Sequence, residues 1–120
     1  ISYNPGYQSV LKEMKPSTRQ RFVALDFDYP DAATEALIVA REGGVDAATA
    51  ARLVKLGNLT RKLKGAGLEE GAGTRLLVHA AQMISRGMEA ATACTAAIAR
   101  PLADEADTRS ALDDLIAAVF

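Results

Sequence analysis

Residues 31–64, DAATEALIVAREGGVDAATAARLVKLGNLTRKLK, decide the fold of this 120-residue chain. Alanine and leucine dominate the stretch, and both are strong helix formers. Gly43 and Gly44 interrupt it, and glycines at such a position end a helix. The stretch therefore predicts two helices, over residues 31–42 and 46–64.

Each of these two helices is predicted to bury an apolar stripe and to leave its charged residues outside. The expected buried residues of the first helix are Ala33, Leu37, Ile38 and Val39. Those of the second helix are Ala50, Leu53, Val54, Leu56 and Leu59. Asp31 and Asp46 lie where the helices start, and aspartate is a good N-cap. The basic residues Arg61, Lys62 and Lys64 gather in the last turn, where the helix dipole favours cations.

Three further helices are predicted along the rest of the chain, over residues 73–86, over residues 89–99 and from about Thr108 to the C-terminus. Thr74 is the expected cap of the first of them. Pro101 is expected to close the second, because proline does not continue a helix. The resulting fold class is mainly α, with four to five helices.

The first thirty residues follow a different pattern. Residues 22–28, FVALDFD, alternate between two faces and predict a single β-strand. A lone strand leaves its N–H and C=O groups without partners, and an exposed edge tends to pair with another chain. We therefore expect a homodimer or a higher assembly through this strand, unless it pairs with a strand stub at residues 1–3.

Composition and charge exclude several classes of function. The net charge is −1 at pH 7, so the chain lacks the basic excess that nucleic acids or anionic membranes attract. No apolar run approaches the roughly 20 residues of a transmembrane helix. A single cysteine forms no internal disulfide, which is typical of a cytoplasmic protein.

Few residues carry recognisable chemistry. The one histidine, His79, and the one cysteine, Cys94, lie on different predicted helices, so a Cys–His dyad is the weakest of the hypotheses. No cluster has metal-ligand spacing, and no GxxxxGK[ST] loop occurs, so we expect no metal site and no P-loop here. Arg75 is more suggestive, because it opens a predicted helix after a glycine-rich loop, where an anion is favoured.

Two blocks of sequence resemble AAA+ ATPases of the MoxR group, and most closely the CbbQ/NirQ/NorQ branch. The first consists of SYNPGYQ at residues 2–8 and KPSTRQRF at residues 15–22. The second is GLEEGAGTRLL at residues 67–77. The resemblance implies a P-loop α/β core followed by a helical lid. Residues 1–30 would then be a remnant of the core, with one or two strands, and residues 31–120 the lid domain.

The resemblance also implies roles for individual residues. Asn4 falls at the sensor 1 position, and Arg19 or Arg21 falls at the arginine finger that reaches a neighbouring subunit's nucleotide. Arg75 falls at sensor 2, which reads the γ-phosphate from the lid. The family binds ATP and Mg²⁺ through Walker A and Walker B motifs that this sequence lacks, so we expect the chain alone to be catalytically inactive.

Members of this branch form hexameric rings and act with a von Willebrand factor A-type partner protein. They activate or remodel a target enzyme such as Rubisco or nitric-oxide reductase, and the residues leave both targets open. The chain begins with Ile1 rather than Met, and the leading hypothesis is the C-terminal fragment of such an ATPase. The alternative is a free-standing helical interaction module derived from an ATPase lid.

Overall fold

The computed structural model describes residues 15–120 apart from residues 22, 24 and 26. Its helices are α1 Pro16–Arg19, α2 Ala32–Gly43, α3 Ala47–Lys62, α4 Thr74–Ser85, α5 Ala90–Cys94, α6 Arg100–Leu102 and α7 Ala106–Val119, and a π-helical stretch Thr95–Ala99 joins α5 to α6. No β-strand occurs among these described residues, where an isolated bridge joins Lys64 to Leu68. The prediction of a mainly helical domain is confirmed.

The two predicted aspartate caps are confirmed. An Oδ1 atom of Asp31 accepts a hydrogen bond from the backbone N–H of Thr34 at 2.8 Å, and Asp46 accepts from Thr49 at 2.7 Å. These bonds from backbone N–H groups lower the pKa of both aspartates, because they favour the charged carboxylate. At the other end of α2, Gly44 has a φ of 71°, a left-handed conformation that glycine adopts without strain.

Helices α2, α3 and α4 pack against one another and form most of the core. Helix α4 also contacts α5 and the π-helical stretch, and α7 lies across α3 and that same stretch. The larger side chains that are fully or almost fully buried there are Leu53, Leu56, Leu77, Ile98 and Leu112. The buried side predicted for the helix over 46–64 is largely confirmed, because Ala50, Leu53, Val54 and Leu56 are buried and Leu59 is half-buried.

The buried face predicted for α2 is wrong in part. Leu37 is 72% exposed and Ala33 is exposed, whereas Glu35, Val39 and Gly43 are buried at a spacing of four residues. A β-carbon at position 43 would collide with the Cβ of Ala81, so glycine allows α2 to lie directly against α4. Helix α2 therefore packs against α3 and α4 with the face that carries Glu35, Val39 and Gly43.

The helix predicted over residues 89–99 continues to Leu102 and contains Pro101 in its final turn. The π-helical stretch precedes this proline, and the N–H of Arg100 donates to the carbonyl of Thr95, five residues back. Because proline has no N–H to donate, the regular hydrogen-bond ladder is interrupted at Pro101. The last helix begins at Ala106 rather than at Thr108.

Only some of the predictions for the amino-terminal thirty residues fall on residues that the structure describes. Residues 1–14 lie outside the described residues, so the strand stub and Asn4 stay predictions. A short helix, α1, covers Pro16–Arg19. The strand predicted over residues 22–28 is described only in part, and its described residues show no strand pairing. The side chains of Val23, Leu25 and Phe27 are 73–90% exposed. In the part of the chain that the structure describes, no helix is long and apolar enough to cross a membrane.

Candidate functional site

The structure places the predicted arginines on two separate elements. Arg19 is the last residue of α1, and Arg21 follows two residues later with an exposed side chain. Arg75 is the second residue of α4, and its side chain is exposed as well. The third predicted position, Asn4, lies outside the described residues.

Arg75 lies at the positive end of the α4 dipole. The helix starts after Gly73, which adopts the extended conformation of an N-cap and has no side chain to satisfy the first N–H groups. The prediction that Thr74 caps this helix is wrong. Thr74 is the first helical residue, and its hydroxyl donates a 2.7 Å hydrogen bond to Oε2 of Glu35 instead.

Glu35 and Arg61 form a buried ion pair behind this helix start. Both Arg61 Nη atoms donate to the Glu35 carboxylate, Nη1 to Oε1 and Nη2 to Oε2, each at 2.7 Å. The Glu35 side chain has no exposed surface, and that of Arg61 is 10% exposed. Such a bidentate pair has a fixed geometry, because the planar guanidinium matches the two carboxylate oxygens.

Arg61 also holds the loop that precedes Arg75. Its Nε–H donates to the carbonyl oxygen of Ala72 at 2.9 Å, and Nη1 donates to Oδ1 of Asn58 at 2.9 Å. The ring of Tyr29 stacks on the guanidinium, with its centroid 3.7 Å from Cζ. The explanation of Arg61 as a cation placed by the helix dipole is therefore incomplete, because its hydrogen bonds are directed to a buried partner.

The backbone of the loop is fixed from a second side by Thr60. Its hydroxyl donates to the carbonyl of Gly57 at 2.7 Å and accepts from the N–H of Ala72 at 2.9 Å. Both backbone polar groups of Ala72 are thus bound by side chains of α3. Gly71 lies so close to α3 that an added β-carbon would be 2.5 Å from the Cα of Arg61.

The electrostatics of the pair favour its charged form. Burial by itself raises the pKa of Glu35, but the hydrogen bonds from Arg61 and Thr74 and the charge of Arg61 outweigh it, and the pKa lies below its ordinary value. For Arg61, burial lowers the pKa, and the hydrogen bonds and charge of Glu35 more than reverse that effect. No buried side-chain polar atom in the described residues lacks a hydrogen-bond partner.

We name this arrangement the buried polar network, which consists of Glu35, Thr60, Arg61, Ala72 and Thr74. Sequence reasoning missed it, since Glu35 was read as one of the flanking charges of an amphipathic helix. A usable signal existed, because Glu35 lies four residues before Val39 and so shares its helix face. A carboxylate on a buried face needs a cation or hydrogen-bond donors.

The other chemistry considered from the sequence gains no support. Burial raises the pKa of the Cys94 thiol to about 12, so the thiol is protonated at neutral pH and is not an activated nucleophile. His79 lies exposed on α4. The described residues contain no group of three His, Cys, Asp or Glu side chains that could hold a metal ion.

The fold and the site together define a class of domain. It is a mainly helical domain with an exposed arginine at the start of one helix and a polar network that fixes the preceding loop, consistent with the C-terminal helical lid of an AAA+ protein. Comparison with known families identifies it more closely. Residues 35–119 match the model described as CbbQ/NirQ/NorQ C-terminal, and the chain belongs to this family.

Curated relatives agree with this assignment. The chain is 57% identical over 116 residues to the denitrification regulatory protein NirQ of Stutzerimonas stutzeri, which covers 97% of the chain and 42% of the relative. It is 54% identical over 119 residues to protein NorQ of Paracoccus denitrificans, with 99% and 44% covered. Identity to protein CbbQ of Hydrogenophilus thermoluteolus is 54% over 112 residues, with 93% and 42% covered. The chain thus spans less than half the length of these relatives.

Proposed function

We propose that this chain is the C-terminal, lid-bearing part of an AAA+ ATPase of the MoxR group, and that Arg75 contacts the γ-phosphate of ATP as sensor 2. Hydrolysis by the full-length protein drives the activation or remodelling of a target enzyme, with Rubisco and nitric-oxide reductase as the candidate targets. Family membership supports this proposal, and so does the name of one relative, a denitrification regulatory protein.

The observation that carries the proposal is the position of Arg75. Its side chain is exposed at the amino-terminal turn of a 12-residue helix, so the guanidinium and the positive end of the helix dipole lie at the same end of α4. Helix amino-termini attract anions, and a guanidinium binds phosphate oxygens through two parallel hydrogen bonds. Both features favour a terminal phosphate as the ligand.

The rest of the catalytic apparatus is part of the same proposal. A P-loop core would hold the nucleotide and Mg²⁺, and these 120 residues contain no GxxxxGK[ST] motif. Mg²⁺ bound in that core would neutralise charge on the phosphates. Arg75 stabilises the terminal phosphate from the lid, which is an electrostatic contribution and needs no proton transfer.

The proposed arginine finger requires a ring of such subunits, because it acts on the nucleotide of a neighbouring subunit. Arg19 and Arg21, at and just after the end of α1, are both candidates for the residue that reaches the neighbouring subunit's nucleotide. Asn4 is proposed as sensor 1. We propose a homohexamer that acts with a von Willebrand factor A-type partner in the cytoplasm, where ATP is available.

The test is ATP hydrolysis by the full-length protein. Arg75→Ala is expected to lower kcat about 10²-fold, as the loss of one preorganised charge-stabilising donor does in other enzymes. Arg86→Ala is the matched control, because Arg86 is an exposed arginine at the opposite end of the same helix. Equal kcat values for Arg75→Ala and wild type would contradict the proposed function.

A further inference from the structure

We propose that the buried polar network sets the orientation of Arg75, so that Glu35, Arg61 and Thr74 are positioning residues for ATP hydrolysis. This inference rests on the proposed function, because it assigns the network a role through Arg75. None of these side chains needs to touch nucleotide. Their role is to fix the backbone from which Arg75 extends.

The first observation is that hydrogen bonds within the network fix the residues on either side of Gly73, the N-cap of α4. Thr74, the residue before Arg75, donates to Oε2 of Glu35 at 2.7 Å. Ala72 is held through its carbonyl by Arg61 at 2.9 Å and through its N–H by Thr60 at 2.9 Å. The backbone immediately before Arg75 is therefore tied to α2 and α3 by three hydrogen bonds.

The second observation is the burial of the network. Glu35 and Thr60 have no exposed surface, so these bonds lie where water does not compete for them. The close approach of Gly71 to Arg61 leaves no space for the loop to shift toward α3. An exposed arginine on a long flexible side chain is a weak ligand unless its backbone is fixed, because ordering it costs conformational entropy.

The third observation concerns the cost of the arrangement. A buried ion pair adds little to stability compared with well-packed apolar side chains, since both charges lose their hydration. Here the pair comes with directed bonds to the loop, through Arg61 Nε to Ala72 and through Glu35 to Thr74. A positioning role accounts for a charged pair at this point of the core.

The experiment is a double-mutant cycle on kcat in the full-length ATPase. Thr74→Val removes the donor to Glu35 and keeps the side-chain shape, and it is measured alone and combined with Arg75→Ala. We expect Thr74→Val to lower kcat about tenfold when Arg75 is present and not to lower it further in the Arg75→Ala background. Thr74→Ser restores the hydroxyl and is expected to restore most of kcat.

Two controls separate positioning from loss of fold. Thr92→Val changes an exposed threonine on α5 and is expected to leave kcat unchanged. Gly71→Ala forces the loop away from Arg61 without removing a polar group. We expect the Gly71 substitution to reproduce the effect of Thr74→Val, and only when Arg75 is present.

The outcomes are distinguishable. If Arg75→Ala lowers kcat while Thr74→Val and Gly71→Ala do not, or if they lower it equally in both backgrounds, the positioning role is overturned and the proposed function stands. If Arg75→Ala leaves kcat unchanged, the proposed function and this inference both fail. Loss of the Thr74→Val effect in the Arg75→Ala background supports the inference.

Discussion

At the scale of single residues, the most consequential feature is the Glu35 carboxylate, which has no exposed surface and accepts bonds from Arg61 and Thr74. Its ionised form is favoured by the fold, because its pKa lies below the ordinary value of 4.5. The stability that it contributes is therefore complete above that ordinary value. It is lost as the pH falls through the lower pKa of the folded state.

Glu35→Gln tests this assignment. The substitution leaves the Arg61 cation buried without its counter-ion, so we expect the free energy of unfolding at neutral pH to fall by about 3–5 kcal/mol. We also expect the variant to lose less stability than wild type when the pH is lowered below 4.5, the ordinary value for glutamate. Urea unfolding followed by circular dichroism across this pH range gives both quantities, and parallel pH profiles would contradict the account.

The same residues show what sequence can predict about the site. Arg75 could be proposed from a motif, because the family resemblance implies sensor 2 at this position. Glu35 and Arg61 could not, since the pair joins residues 26 positions apart, and local patterns carry no information on such a contact. Local sequence predicts Thr74 as a helix cap, but its hydroxyl donates to Glu35 on α2, which is distant in sequence.

At the scale of elements, the helices themselves were predictable and the rotation of α2 was not. Alanine-rich stretches bounded by aspartate caps and glycine stops define α2 and α3 within two residues of the observed bounds. The face that α2 buries depends on two partners elsewhere, the Arg61 guanidinium and the Ala81 methyl group that lies against Gly43. The pattern of apolar residues along the helix predicts that Leu37 is buried, but its side chain is 72% exposed.

The rotation of α2 leads to a paired prediction. Val39→Ala removes fully buried methyl groups, and we expect it to lower the free energy of unfolding by about 2 kcal/mol. Leu37→Ala removes more carbon from the same helix, but from an exposed position, and its effect is expected to stay within about 0.5 kcal/mol. Chemical denaturation of the two variants decides between the faces, and a larger loss for Leu37→Ala would refute the observed packing.

At the scale of the whole molecule, three exposed apolar side chains, those of Val23, Leu25 and Phe27, are open to a partner. Their exposed fractions are 89%, 73% and 90%, and exposed apolar side chains favour association in water. We expect the isolated chain to self-associate in a concentration-dependent way, and Phe27→Glu to reduce that association. Light scattering measures both, and a monomer at all concentrations would contradict the expectation.

The central claim is that Arg75, held in place by the buried polar network, senses the γ-phosphate of ATP. Its most direct test is the affinity of the full-length protein and of its Arg75→Ala variant for ADP and for a non-hydrolysable ATP analogue. We predict that the variant binds the analogue more weakly and ADP with unchanged affinity, so that the preference for the triphosphate falls. An unchanged ratio of the two affinities would contradict the claim.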